Sequence, residues 1–313
     1  MKKLRKILGR LFLFGFLAFN VIACNHAYRF THFTATEGQR IKPEQLSFAQ
    51  KLKVLFLGVE NPKPVNQQIP DSPFQTIAIQ SQELLEAWLI KQADHKGLIL
   101  LFHGYAGSKA GMLNYGKMFN QWGYSTLLVD FQGCGGSTGY QTTIGHEEGK
   151  DVRAVFDYAR QQFPDDPIIL FGTSMGAASI MRAYAEAEIP ADKVILECPF
   201  GRMRQTVIQR FKAMKVPSFP FVDCLMLYGS IINGFNTYSH NPQDYARSLK
   251  VPTLLLQGSL DQRVTKEETK AIFANLPAEK KLVWLPRSGH QNYLLNSQEN
   301  WETAVTEFLG EEN

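Results

Sequence analysis

The chain has 313 residues, 44% of them hydrophobic, which suffices for one large domain with a substantial core. Its formal charge of +4 is misleading, because residues 1–23 carry five Lys/Arg and no Asp/Glu; beyond them 28 basic residues face 29 acidic ones, a balance that gives no support to a nucleic-acid binder. Internal repeats and low-complexity tracts are absent from the sequence, which excludes a solenoid or a disordered scaffold.

Lys2, Lys3, Arg5, Lys6 and Arg10 lead into the apolar run 11–23, the order of a secretory signal and short for a bilayer span. The run ends in Val21-Ile22-Ala23-Cys24, which resembles the lipobox of bacterial lipoproteins. That resemblance implies removal of residues 1–23 and a lipidated Cys24 holding the chain on a membrane, outside the cytoplasm. Asn25, rather than Asp, gives no argument for retention at an inner membrane. An uncleaved anchor and a plain signal peptide are the alternatives. Lipidation of Cys24 leaves Cys134, Cys198 and Cys224, an odd number without zinc-site spacing, expected as free and mostly buried thiols.

Residues 25–42 read as a tether. Over 43–59, Leu46, Ala49, Leu52, Leu55, Phe56 and Val59 recur on a helical period and predict an amphipathic helix packed on its own domain in preference to the membrane surface. Prolines 62, 64, 70 and 73 make 61–73 an extended connector.

From residue 74 the pattern is that of a folded domain, 74–313. Runs 75–80 and 84–90 predict an antiparallel opening hairpin. Apolar strand runs at 97–102, 125–129, 167–171, 193–196, 251–257 and 281–285 then alternate with helical segments near 108–122, 145–162, 175–188, 265–276 and 297–309. This is the signature of an α/β fold, a mainly parallel sheet covered by helices on both faces, with the carboxyl ends of its strands along one edge. Between about 199 and 250 the rhythm breaks. Helices at 202–215 and 222–232, separated by Pro217-Ser218-Phe219-Pro220, predict a small cap over that edge. Phe211, Met214, Phe219, Phe221, Met226, Phe235 and Tyr238 are the cap residues that would line an apolar acyl pocket or simply pack the cap down.

Gly172-Thr173-Ser174-Met175-Gly176 follows a buried strand and opens a small-residue helix, the setting of a serine nucleophile held on a strained turn. A serine hydroxyl needs a base and a carboxylate to orient that base. His290, in Arg287-Ser288-Gly289-His290, and Asp261, in Gly258-Ser259-Leu260-Asp261, each follow a strand at the same edge, in the order Ser174, Asp261, His290. The N–H groups of Met175 and of Tyr105, within His103-Gly104-Tyr105-Ala106-Gly107, are the expected oxyanion donors. His103 is expected to prop that loop and Asp130 to anchor the next one. The glycine-rich stretch 130–139 matches no nucleotide-binding pattern and reads as a turn over the site.

Together His103-Gly104, residues 130–139, the serine motif, Asp261 and Gly289-His290 resemble the α/β-hydrolase superfamily across about residues 74–310. The likeness is closest to its serine-aminopeptidase-like (Hydrolase_4) and dienelactone-hydrolase-like branches. It implies hydrolysis of an acyl bond, an ester or thioester, with no metal or organic cofactor. A serine exopeptidase of the same fold and a non-catalytic lipoprotein that binds through it are the other readings. Departures from the pattern are Ser81-Gln82-Glu83 in the first hairpin, where Asp-Gly is frequent, and Cys198-Pro199, where Ser-Pro is common.

Overall fold

The computed structural model describes residues 2–36 and 47–311. Its frame is a single eight-stranded sheet of β1 (Gln75–Gln80), β2 (Leu84–Ile90), β3 (Leu98–Phe102), β4 (Ser125–Val129), β5 (Ile168–Thr173), β6 (Lys193–Glu197), β7 (Thr253–Gly258) and β8 (Lys280–Leu285). The strands lie in the order β1-β2-β4-β3-β5-β6-β7-β8. β2 pairs antiparallel with β1 and with β4, and every later pairing is parallel. The order turns back at β3, so the chain leaves β3 to one side for β4 and returns to the other side for β5. Such a switch point opens a crevice at the strands' carboxyl ends.

Alternation along each central strand builds two cores. Leu98, Leu100 and Phe102 face one side, with helices α4 (Glu148–Gln162), α5 (Met175–Glu186) and α9 (Lys266–Asn275). Ile99 and Leu101 face the other, with α3 (Leu113–Gln121) and α11 (Gln298–Leu309). There the Trp301 ring lies among Tyr115, Phe119, Trp122 and Phe171, its centroid 5.5–6.3 Å from theirs. Two short helices, α8 (Pro242–Tyr245) and α10 (Tyr293–Asn296), complete the connections after β6 and β8. All four cysteines are unbridged; Cys134 and Cys198 are buried, Cys24 and Cys224 partly so.

The cap is α6 (Met203–Ala213) and α7 (Phe221–Asn233), as the sequence predicts. The N-terminal region differs from expectation. α1 is one helix over Lys2–Thr31, and of the expected tether 25–42 the described residues 25–36 pack on the fold, while 37–42 lie outside the described residues. Ala23, Ala27 and Thr31, four residues apart, form its buried stripe, and α1 packs along α7. Phe19 meets the Phe221 ring at 5.3 Å and the Tyr228 hydroxyl donates to Asn20 at 2.7 Å. Beyond the helix, Phe33 N–H donates to the Tyr140 carbonyl and Thr142 N–H to that of Thr31. The predicted amphipathic helix is α2 (Phe48–Leu57), opened by a Ser47–Gln50 capping box; Leu46 lies outside the described residues. The Leu57 carbonyl accepts from the Asn25 side chain at 2.8 Å, which fixes the end of α2 to α1.

Candidate active site

Ser174 sits between β5 and α5 with φ +50° and ψ −107°, a region that an L-residue rarely occupies. The two flanking glycines explain how that turn closes. A Cβ on Gly172 would lie 2.6 Å from the Gly176 carbonyl carbon, and one on Gly176 would lie 2.3 Å from the Phe102 carbonyl oxygen. Helix and strands therefore approach closer than any other residue permits. Ser174 N–H donates to the Glu197 carbonyl of β6 at 2.7 Å, which ties the turn to the neighbouring strand.

From the ends of β7 and β8, Asp261 and His290 converge on that serine. Ser174 Oγ lies 3.0 Å from His290 Nε2, and His290 Nδ1 lies 2.8 Å from Asp261 Oδ2. The Asp261 side chain is 1% exposed and that of His290 14%. Asp261 Oδ1 accepts from the N–H groups of Arg263 and Val264 at 2.7 and 3.0 Å, and Oδ2 also accepts from Gln257 Nε2 at 2.9 Å. Burial by itself raises the Asp261 pKa, but the pairing with His290 and the two backbone donors outweigh it, and the net shift is downward. Burial likewise opposes an imidazolium at His290. The Cys198 sulfur and the Asp261 carboxylate beside it prevail, and the His290 pKa is raised above 6.5. A carboxylate fixed by three donors holds Nδ1 protonated and leaves Nε2 facing the serine hydroxyl, the arrangement needed to accept its proton.

The segments that carry the two expected oxyanion donors border Ser174. Met175 opens α5, so its N–H belongs to the first turn, where intrahelical acceptors are missing. On the other side the 103–107 loop presses on Ser174: a Cβ on Gly104 would be 3.6 Å from the Ser174 Cβ. His103 braces this loop, with Nδ1 donating to the Gly104 carbonyl at 2.8 Å and Nε2 accepting from Phe131 N–H at 3.2 Å. Its burial lowers its pKa, consistent with a neutral ring in that tautomer. Tyr105 is held from outside the domain's own strands: its hydroxyl donates to the Phe30 carbonyl of α1 at 2.7 Å and accepts from Asn61 Nδ2 at 3.2 Å.

Asp130 takes no part in this group. It pairs with the buried Lys109 ammonium, which also reaches Glu86 at 2.7 Å, and accepts from Asn66 Nδ2 and Gly136 N–H. The glycines of 130–139 close over that ion cluster: Cβ atoms on Gly135 and Gly136 would strike the Asp130 and Glu86 carboxylates. The stretch expected as a turn over the serine is thus packed around a buried charge cluster.

An apolar cavity lies under the cap. Of the cap residues proposed for it, Phe211, Met214, Met226 and Phe235 line it, whereas Phe219, Phe221 and Tyr238 do not. Its other walls include Ala27, Phe30 and Thr31 of α1, which sequence reasoning assigned to the tether. Three aromatic residues in that segment, Tyr28, Phe30 and Phe33, were the available signal, since a solvated linker has no use for them. Arg210 lines the cavity too, with its guanidinium 5.0 Å from the Tyr105 ring centroid, whereas Ser174, Asp261 and His290 are not among its lining residues. No Asp or Glu is among the described residues that line it.

Comparison with known proteins agrees with this architecture. Residues 93–237 match the Hydrolase_4 family, described as serine aminopeptidase S33, and residues 237–310 match the PhoPQ-activated pathogenicity-related protein family. A Bacillus subtilis protein, YqkD, is 22% identical over 232 residues, 73% of this chain and 76% of its own length. The lysophosphatidylserine lipase ABHD12 of Xenopus tropicalis is 28% identical over 169 residues, 52% of this chain and 42% of the lipase. Its mouse counterpart is 32% identical over 118 residues, 36% of this chain and 29% of the lipase, so the chain spans less than half the length of either lipase. Among solved structures, the Pyrococcus furiosus esterase Pf2001 superposes with a TM-score of 0.66 at 23% identity, covering 80% of this chain and 96% of the esterase. An esterase from Exiguobacterium antarcticum does so with a TM-score of 0.56 at 18% identity, covering 75% and 100%. The chain has the α/β-hydrolase fold and is an α/β-hydrolase enzyme.

Proposed function

We propose that the chain is a serine esterase that cleaves acyl esters or thioesters with a lipid-like acyl chain, acting through an acyl-enzyme intermediate. Ser174 Oγ attacks the carbonyl carbon and its proton passes to His290 Nε2, with the imidazolium held by Asp261. The carbonyl oxygen takes the negative charge and rests on the N–H groups of Met175 and Tyr105. Collapse of the tetrahedral species breaks the bond to the leaving group, which receives the His290 proton. Water, activated by the same imidazole, then releases the acid and restores Ser174. The observation that carries this reading is the unbroken hydrogen-bonded line Ser174–His290–Asp261 at 3.0 and 2.8 Å.

The apolar cavity supports an acyl chain as the group bound, and the likeness to lysophosphatidylserine lipases points the same way. The match to a serine aminopeptidase family favours an exopeptidase as the second reading. An aminopeptidase needs a carboxylate for the free amine, and the absence of Asp and Glu from the described cavity lining weighs for the ester. The decisive experiment incubates the purified protein with a fluorophosphonate probe, and with p-nitrophenyl esters of rising acyl length beside amino-acid amides. Labelling that vanishes in Ser174→Ala, with turnover only on esters, is expected. An unlabelled parent protein removes the serine mechanism; turnover only on amides replaces the ester reading with the exopeptidase.

We also place the enzyme in the cell envelope of a bacterium, on a membrane and facing out of the cytoplasm, anchored by a lipid on Cys24. The sequence order of basic residues, apolar run and Val21-Ile22-Ala23-Cys24 carries this, together with an α1 that is long and apolar enough to cross a membrane. Cys24→Ser should abolish a lipid adduct in the mass of the intact protein. Release of an unmodified, processed chain from the parent would sink it.

A further inference from the structure

α7 is largely apolar, with Asp223 paired to Arg204, and two of its faces are covered. Val222 and Met226 enter the cap core with Met203 and Phe200, and a second face lies along α1. The third carries Leu227 and Ile231, one turn apart and 52% and 66% exposed. At the start of α7, Phe219 is 80% exposed, next to Phe221, which touches Phe19. That is the level at which α1 leaves the domain. On the protruding part of α1, Leu11, Phe12, Leu13, Phe14, Phe16 and Leu17 are all more than half exposed. Phe56 and Leu57, at the α2 end fixed to Asn25, are likewise more than half exposed. Large apolar side chains gathered in this way mark a surface meant to be covered.

From this geometry we infer that the cap rim of Phe219, Leu227 and Ile231 docks into a lipid bilayer, so that an acyl chain passes from the membrane into the cavity without crossing water. The inference rests on the membrane association proposed above. The bilayer is the occupant because the rim lies on α7, along which α1 packs, and α1 carries Cys24, the proposed site of the lipid anchor. Cys24 follows Asn20, to which the Tyr228 hydroxyl donates at 2.7 Å, so a lipid on it is tethered beside α7 and remains there when the preceding residues are removed. Met214, which lines the cavity, is 42% exposed, and Arg210, one turn earlier on α6, lines it as well and lies over the Tyr105 ring.

The test uses the full chain with dioleoylphosphatidylcholine vesicles. Flotation first establishes that the parent protein binds them. Phe219→Trp should then show extra emission, relative to the parent, that brominated phosphatidylcholine quenches. The combined variant Phe219→Ser, Leu227→Ser, Ile231→Ser should lose roughly tenfold or more of its turnover on monooleoylglycerol carried in vesicles, while its turnover of soluble p-nitrophenyl butyrate stays within about twofold. A parent chain that fails to float overturns both the membrane reading and the docking. If the parent floats but the extra emission of Phe219→Trp is unquenched, or the triple variant keeps its vesicle activity, the docking alone is overturned. Extra emission shielded from iodide yet unquenched by brominated lipid assigns the rim to a protein partner, which also overturns it.

Discussion

The site stands on an electrostatic contrast between two neighbouring groups. Asp261 is held below its ordinary pKa, chiefly by its pairing with His290, and His290 above 6.5, by the Cys198 sulfur first and the Asp261 carboxylate second. Turnover requires a neutral His290, so kcat/KM on a soluble ester should fall on the acid side with a midpoint above pH 6.5. Cys198→Ala leaves the three site residues in place and removes one source of the upward shift, so its pH profile should move to lower pH. Asp261→Asn should lower kcat by roughly three to four orders of magnitude with the fold intact, as judged by circular dichroism and stopped-flow turnover. Much of this was legible in the residues, because Ser174, Asp261 and His290 each follow a strand that ends at one edge. Gln257, which donates to Asp261, and Cys198, beside His290, were not. Their roles arise from packing between separate strands, for which a single chain carries no local pattern.

Among the elements, the β5–α5 junction tolerates least change. Gly176→Ala would place a methyl 2.3 Å from the Phe102 carbonyl, so the helix must move; a loss of roughly 1–3 kcal/mol in urea unfolding and near-complete loss of activity are expected. The Lys109 cluster is the second sensitive junction, since it joins β2, β4 and the glycine-rich loop. Both Lys109 and Asp130 side chains are fully buried, and Lys109→Met would leave Asp130 without its cation. Unfolding should register roughly 3–5 kcal/mol; a loss below about 1 kcal/mol would mean that the N–H groups of Lys109 and Gly136 and the Asn66 amide satisfy the carboxylate alone. The strands and covering helices were predictable within a few residues, because alternation and helical period survive in each segment by itself. α1 was misjudged past residue 24. Its buried stripe of Ala23, Ala27 and Thr31 is made of small residues, and their partner, α7, lies some 200 positions away.

For the whole molecule, buried acids set the response to pH. Glu197, beneath the serine turn, is raised to about 8 by burial, although Tyr115 and Trp301 donate to it. Its unfolded counterpart ionises near 4.5, so between about pH 5 and 8 the folded chain holds one proton more than the unfolded chain, and stability must fall as pH rises through that window. Asp151, raised by burial to about 7, adds a slope of the same sign. Urea titrations should show this decline, at most ~1.4 kcal/mol per pH unit for each proton, and Glu197→Gln should flatten but not abolish it. The site also depends on chain far from the sheet, through the Tyr105 hydroxyl hung on the Phe30 carbonyl. In practical terms, a preparation trimmed at residue 23 keeps that strut, whereas one begun after Thr31 to gain solubility would lose it. Such a protein should still take up a fluorophosphonate yet turn over esters poorly, an enzyme with its blade intact and its handle sawn through.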